Sequence, residues 1–192
     1  MSTEDIQALT HIAPGSKAYT WLEGDLASAA ADKASGNIDW IIVLAHRPLY
    51  CSYHWSACCW DACDNQVNSS AWNNKYRDNV EPLLLKYQVD AWLNGHTHNY
   101  ERTLTIVDNQ PNMRDGSTNS TYVNPTSPFY VTAGAAGDIE IQGHHFMQQP
   151  DWSITRISTV EDKDNSFNTG YSHVTAFNSS LLDVKFVRAH DG

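Results

Sequence analysis

The sequence predicts an α/β fold with a mixed β-sheet, on three observations. Strand-like and helix-like segments alternate between residues 16 and 94, which is the order of a helix followed by a βαβ unit with parallel strands. Near the C-terminus, residues 171–177 and 181–188 alternate in polarity around an Asn-Ser-Ser turn, which indicates a closing β-hairpin. Hydrophobic residues make up 41% and charged residues 18% of the 192 residues, which suffices for one ordinary core.

The first element is predicted to be an amphipathic helix over residues 16–34. Ser16 is a suitable N-cap, and Gly36 with Asn37 interrupts the pattern after the helix. Apolar side chains recur at three- and four-residue steps along its inner face: Ala18, Trp21, Leu22, Leu26 and Ala29.

Two parallel strands are predicted on either side of a second helix. Residues 38–45, IDWIIVLA, form an almost continuous apolar run, which predicts a strand buried on both faces. A long irregular loop is predicted over residues 51–72, a helix over about 74–88, and the second strand over 89–94. The inward residues of this helix are predicted to be Val80, Leu83, Leu84 and Tyr87. Further strands are predicted at 102–108 and 128–137.

Both parallel strands end in loops that carry histidine. His46 follows the first strand, and His96 and His98 follow the second in NGHTHNYER. Ligands of open α/β sheets bind outside the carboxyl ends of the strands, and imidazole is a common ligand of zinc and iron. Residues two apart in an extended segment face the same way, and Gly95 is expected to permit the tight reversal that presents both rings. The pattern predicts a metal site, with a polar loop rim as the alternative.

A dinuclear hydrolytic site also needs carboxylate ligands, and the sequence offers no obvious one at a strand end. Asp25 lies within the first helix, and Asp138 lies far downstream. Three histidines alone suffice for one zinc ion with an open position, so a mononuclear zinc site is a further alternative.

Composition limits the partners and the compartment. The formal net charge of −10, with scattered basic residues, argues against binding of nucleic acid. No stretch reaches the ~20 apolar residues of a membrane-spanning helix, and the polar start MSTEDIQALTH does not predict a signal peptide. Three N-glycosylation sequons, at Asn68, Asn119 and Asn178, nevertheless favour a secreted parent protein.

Four clustered cysteines favour the same compartment. Cys51, Cys58, Cys59 and Cys63 lie within 13 residues, and their even number predicts disulfides in an oxidising environment. Four cysteines allow three pairings, and the sequence does not choose among them. A cysteine zinc site is the alternative, although only Cys59 and Cys63 have the spacing of a structural zinc pair.

Two segments resemble metal-binding blocks of a known family. VLAHRPLY and NGHTHNYER resemble the V-x-x-H and G-H-x-H blocks of calcineurin-like metallophosphoesterases, and the Tyr-Glu-Arg extension resembles the purple acid phosphatase branch. GSKAYTWLEGDLAS, YVTAGAAG, PDWSITR and GYSHVTAFNSSLLDVKFVRAHDG resemble further segments of that branch. The resemblance implies the C-terminal half of an αββα sandwich. Residues 1–140 would be half of the metallophosphoesterase domain, and 141–192 the C-terminal segment of purple acid phosphatases.

The resemblance implies an acid phosphatase that hydrolyses small phosphate monoesters. His46 and His96 would bind a divalent metal ion (zinc, manganese or iron), and His98 would bind iron. His54 matches a histidine that contacts phosphate and protonates the leaving group, which implies an acidic pH optimum. The alternative for His54 is a loop residue beside the cysteines.

Three blocks of the family, G-D-x-G, G-D-x-x-Y and G-N-H-[DE], have no match in this chain. The chain is therefore expected to carry only part of the metal site, to be a poor catalyst alone, and to self-associate through an exposed sheet. The alternatives are a non-catalytic secreted glycoprotein module that binds one zinc ion, and a self-sufficient mononuclear zinc hydrolase.

Overall fold

The computed structural model describes residues 12–53, 72–112, 121–137, 146, 148–158 and 168–189. Within these ranges the chain forms the helices α1 (Lys17–Ala34) and α2 (Trp72–Lys86). The strands are β1 (Ile42–Leu44), β2 (Ala91–Asn94), β3 (Asn99–Val107), β4 (Gln110–Pro111), β5 (Thr121–Val123), β6 (Phe129–Ala133), β7 (Ser153–Ser158), β8 (Gly170–Asn178) and β9 (Leu181–Arg188).

The strands form two sheets. A six-stranded mixed sheet has the order β1-β2-β6-β3-β4, and β7 also pairs with β3. β1, β2 and β6 are parallel, whereas β3 is antiparallel to β6, β4 and β7. The second sheet has three antiparallel strands in the order β5-β9-β8. The predicted mixed α/β fold, the parallel pair and the closing hairpin are confirmed.

The six-stranded sheet has a hydrophobic core on each face. Leu22 of α1 and Val80 of α2 pack with Trp92 on one face. On the other face the two sheets pack together, and the rings of Tyr122 and Phe129 stack with their centroids 3.6 Å apart. The molecule is therefore layered as helices, large sheet and small sheet, and the carboxyl ends of β1 and β2 lie side by side.

The local signals for the helices predict most of what forms. Ser16 caps α1, because its Oγ accepts a hydrogen bond from the backbone N–H of Tyr19 at 3.1 Å. α2 ends at Lys86, so Tyr87 lies beyond the helix rather than on its inner face. Most of the predicted irregular loop, residues 54–71, lies outside the described residues. None of the described helices is both long and apolar enough to cross a membrane.

The prediction that residues 38–45 form a strand buried on both faces is wrong. Only Ile42–Leu44 is a strand, and Ile42 and Leu44 are 38% and 69% exposed. The reason is position: among the described strands β1 pairs with β2 alone, so it is an edge strand. Trp21 of α1, predicted to point inward, is 57% exposed, and it lines a groove beside this open edge.

The boundary predicted between residues 140 and 141 stays a prediction. The segment after it contributes to both sheets, because β7 pairs with β3 of the large sheet and β8 and β9 belong to the small sheet.

Candidate metal centre

His46 and His96 meet at the carboxyl ends of β1 and β2. The backbone N–H of Gly95 donates a 3.0 Å hydrogen bond to the carbonyl of His46, which ties the two loops together. The Nε2 atom of His46 lies 2.9 Å from Nδ1 of His96, and the ring centroids are 4.9 Å apart. At this distance one ring nitrogen donates a hydrogen bond to the other.

The geometry of this pair suits two nitrogen ligands of one cation. Imidazole nitrogens lie 2.0–2.1 Å from zinc, so two of them on one tetrahedral ion are roughly 3.3 Å apart. If these two nitrogens moved slightly farther apart, both would be placed to bind the same ion. His46 is exposed and His96 is half-buried, so an ion can reach the pair from solvent.

A complete metal site is not assembled by the described residues. Among them, no group of three or more His, Cys, Asp or Glu side chains is arranged to hold a metal ion. His98 is half-buried and directly precedes β3. The ligand set of His46, His96 and His98 therefore stays a prediction, although the first two are in contact.

The loop that carries His96 and His98 is a tight reversal. The N–H of Thr97 donates to the carbonyl of Gly95, and the N–H of Asn99 donates to the carbonyl of Thr97, both at 2.8 Å. The tight reversal predicted at Gly95 is present, and the left-handed residue in it is His96, with a φ of 67°. A non-glycine residue with positive φ carries backbone strain, and such strain is concentrated at functional sites.

Gly134, which directly follows β6, packs against the backbone of this loop. A Cβ atom at position 134 would lie 1.9 Å from the carbonyl oxygen of Thr97 and 2.8 Å from its carbonyl carbon. The N–H of Gly134 also donates to the carbonyl of Asn99 at 3.0 Å. Only glycine allows the two backbones to approach so closely. The sequence signal for this contact is the Gly-rich segment that follows β6. The segment alone does not show that Thr97 is the residue that Gly134 contacts.

Glu101 anchors the segment that follows His46. Its side chain is buried, and its carboxylate accepts hydrogen bonds from the N–H of Ser52 at 2.7 Å, from the Ser52 hydroxyl, and from the Ser153 hydroxyl at 2.6 Å. Burial raises the pKa of Glu101, although the two serines and the charge of Arg156 partly offset this. Sequence reasoning treated Glu101 only as part of a motif and missed this anchoring role.

Several predicted site residues lie outside the described part of the chain, namely His54, Cys58, Cys59, Cys63, Asn68 and Asn119. Their predicted roles stay predictions. Cys51 is described: it is buried and disulfide-bonded. Asn178 is exposed at the end of β8.

Two family profiles match separate regions of the chain. The profile of the calcineurin-like phosphoesterases matches residues 2–100, and that of the iron/zinc purple acid phosphatase-like protein C matches residues 127–192. An acid phosphatase of Aspergillus ficuum is 30% identical over 191 residues, which is 98% of this chain and 27% of that protein. A "Probable inactive purple acid phosphatase 1" of Arabidopsis thaliana is 28% identical over 93% of this chain and 25% of that protein.

Among solved structures, purple acid phosphatase PPD1 from yellow lupin seeds matches with a TM-score of 0.67 and 27% sequence identity. The match covers 94% of this chain and 27% of the lupin chain. The chain therefore spans about a quarter of the length of each of these three proteins.

Proposed function

The chain belongs to the calcineurin-like phosphoesterase family, in its purple acid phosphatase branch, and from this premise we propose that it supplies part of the dinuclear metal site of an acid phosphatase. The observation that carries the proposal is the 2.9 Å contact between His46 and His96 at adjoining strand ends. The substrates would be small phosphoric monoesters. His46 and His96 would bind a divalent ion (zinc, manganese or iron), and His98 would bind iron. The metals, when bound, would activate water and offset charge on the phosphate.

The residues of this chain have separate tasks in this proposal. His46 and His96 present ring nitrogens to the ion, and Gly134 fixes the backbone of the second loop. Glu101 holds the segment after His46, which leads to His54. His54 would donate a proton to the oxygen of the leaving alcohol. The carboxylate ligands of the site would lie outside these 192 residues.

Restoring the rest of the site tests the function. We expect a chimera, in which this chain replaces the matched 191-residue segment of the Aspergillus ficuum acid phosphatase, to hydrolyse p-nitrophenyl phosphate at acidic pH. Replacing His46 by alanine in the chimera should lower kcat by more than about 100-fold, since a ligand is lost and the loss of an outer-shell partner alone costs about 10–100-fold. The isolated chain should show no turnover. Equal activity of the chimera and its His46→Ala variant would refute the role of His46.

Metal binding by the isolated chain is the second expectation. We predict that Zn²⁺ binds one site per chain in isothermal titration calorimetry and that His96→Ala weakens binding more than tenfold, because one of the two paired nitrogens is removed. The matched control is His173→Ala, an exposed histidine on β8, which is a strand of the small sheet. Loss of zinc binding in the His173 variant, or its retention in the His96 variant, would contradict the assignment.

A non-catalytic secreted module that binds one zinc ion is the second candidate. One observation favours it: the name of the Arabidopsis thaliana relative describes that protein as probably inactive. The chimera separates the candidates, because a binding module would confer zinc binding without turnover.

We also propose that the isolated chain pairs with a second copy along the open edge of β1. The carbonyl of Ile41 and the N–H of Ala45 form hydrogen bonds with residues on the β2 side. Successive residues of a strand direct their N–H and C=O groups to opposite sides, so those of Ile42 and Leu44 are directed away from β2. An antiparallel pair centred on Val43 would place Ile42 opposite Leu44 of the second copy. This strand has no charged side chain to oppose such pairing.

Charge at this edge should break the pair. We predict that Leu44→Lys shifts the chain from dimer to monomer in sedimentation velocity experiments, since it places a charge at the symmetric contact. Phe177→Lys is the matched control, because Phe177 is also apolar and 60% exposed but lies on β8. A dimer that survives Leu44→Lys and dissociates with Phe177→Lys would place the interface elsewhere.

A further inference from the structure

The segment that joins β2 to β3 carries buried polar groups without hydrogen-bond partners. Asn99 is 0% exposed, and neither Nδ2 nor Oδ1 of its carboxamide has a partner among the described residues. The same holds for Oγ1 of Thr97, which is also buried. Burying an amide or a hydroxyl group without a hydrogen bond is unfavourable, so a group of this kind calls for a bound molecule or a functional role.

The backbone of Asn99 is fully bonded, in contrast to its side chain. Its N–H donates to the carbonyl of Thr97 at 2.8 Å, and its carbonyl accepts from the N–H of Gly134 at 3.0 Å. Asn99 also begins β3, where it is paired with Ser158 of β7. The carboxamide therefore lacks partners in a segment whose main chain is held by its neighbours.

The carboxamide of Asn99 lies on the face of the large sheet that packs against the helices. Side chains alternate along a strand, so Asn99 and Glu101 share one face of β3 and Tyr100 occupies the other. Tyr100 stacks on Phe186 of the small sheet with ring centroids 4.6 Å apart, whereas Glu101 binds Ser52. β3 is antiparallel to β6, so Asn99 at its start lies at the edge of the sheet where the candidate metal centre is found.

We propose that Asn99 is a positioning residue of the candidate metal centre, whose Oδ1 atom accepts the ring N–H that a metal-bound histidine of this segment directs away from the ion. The inference rests on the proposed function, because it needs the segment to bind metal. A histidine ligand has one ring nitrogen on the ion and gives its other N–H to an oxygen acceptor in almost all proteins. His96 and His98 both lie within three residues of Asn99, and Nδ1 of His98 is buried as well.

The contact between two histidines explains why this acceptor has no partner. Nε2 of His46 and Nδ1 of His96 lie 2.9 Å apart in a hydrogen bond with each other, whereas two ligands of one zinc ion are roughly 3.3 Å apart. The structure therefore has the rings in the arrangement of a histidine–histidine hydrogen bond. The unpartnered carboxamide of Asn99 destabilises this arrangement, and it would stabilise the one in which the rings bind an ion.

Asn99→Leu separates this role from a merely structural one, because the two readouts move in opposite directions. Leucine has a similar size and no polar atom, so the midpoint of urea unfolding with a chelator should rise. The Kd for Zn²⁺ in isothermal titration calorimetry should increase about 10- to 100-fold, as for the loss of other outer-shell partners. Asn99→Asp keeps an oxygen acceptor and should bind Zn²⁺ at least as tightly as the original chain.

The hydrogen bond itself has an NMR signature. In the zinc-bound chain we expect a histidine ring N–H resonance that exchanges slowly with water, is retained in Asn99→Asp and is lost in Asn99→Leu. An original chain that binds no Zn²⁺ would overturn the proposed metal centre and this role with it. Equal zinc affinity of the original chain and Asn99→Leu would overturn the role of Asn99 alone and would assign its carboxamide to a structural water. A urea midpoint that falls in Asn99→Leu would contradict the unpartnered state of the carboxamide.

Discussion

Replacing Gly134 by alanine is expected to displace the loop that carries His96 and His98 and to weaken zinc binding by 10- to 100-fold. The new methyl group would lie 1.9 Å from the carbonyl oxygen of Thr97. This obstacle is backbone, so rotation of a side chain cannot relieve the overlap and the strands or the loop must move. Overpacking of this kind costs about 1–3 kcal/mol, and we expect the free energy of unfolding to fall by that amount.

Gly95→Ala is the matched control for this prediction. Gly95 lies in the same loop, but a Cβ atom there meets nothing within 4 Å, and Gly95 is not among the residues with positive φ. Its substitution should change the free energy of unfolding by less than about 0.5 kcal/mol. Urea unfolding with a chelator measures stability, and calorimetry measures zinc affinity. Indistinguishable results for the two variants would show that Gly134 does not support the loop.

The local parts of the fold could be predicted because their signals lie within a few residues. Ser16 caps α1 by contacting Tyr19, three residues away. The apolar run of residues 38–45 predicts a strand for the same reason, although only Ile42–Leu44 forms one, and the burial predicted for it is wrong. Burial depends on the strands that lie on each side, and among the described strands only β2 pairs with β1. The apolar content of a segment does not show whether it forms an edge strand or a central strand.

The site shows the same division between local and distant information. The contact of His46 with His96 follows from the rule that parallel strands end at one edge of a sheet. Gly134 beneath Thr97 and Glu101 beside Ser52 could not be foreseen, because each contact joins segments that are dozens of residues apart and depends on β6 and β7 reaching β3. The motif predicts the side chains that bind the metal, and the topology shows which residues support the loops that carry them.

Replacing Glu101 by alanine is expected to be the most destabilising change, lowering the free energy of unfolding by about 3–5 kcal/mol, the range for breaking a buried hydrogen-bond network. The buried carboxylate accepts three hydrogen bonds from Ser52 and Ser153 and faces the charge of Arg156. Its removal leaves these donors without their acceptor in the interior. Glu23→Ala is the control, because its carboxylate pairs with Lys86 at a partly exposed site and its loss should destabilise the chain far less. Equal losses for the two variants would contradict the role of Glu101.

Glu101→Gln tests the charge of this group through its pH dependence. Burial raises the pKa of Glu101 in the folded chain above its ordinary value, so the folded state keeps a proton that the unfolded chain releases. The free energy of unfolding therefore falls as the pH rises from the unfolded pKa through the folded pKa. Glutamine does not titrate, so the Glu101→Gln variant lacks this pH-dependent contribution to stability. Glu81 and Asp90 also have raised pKa values, but they are present in the original chain and in the variant and affect both alike. Urea unfolding from about pH 4 to about pH 8 should show the stability advantage of Glu101 over glutamine shrinking as pH rises, because ionisation of a buried carboxyl group is unfavourable. A constant difference across this range would mean that Glu101 does not change its protonation on unfolding.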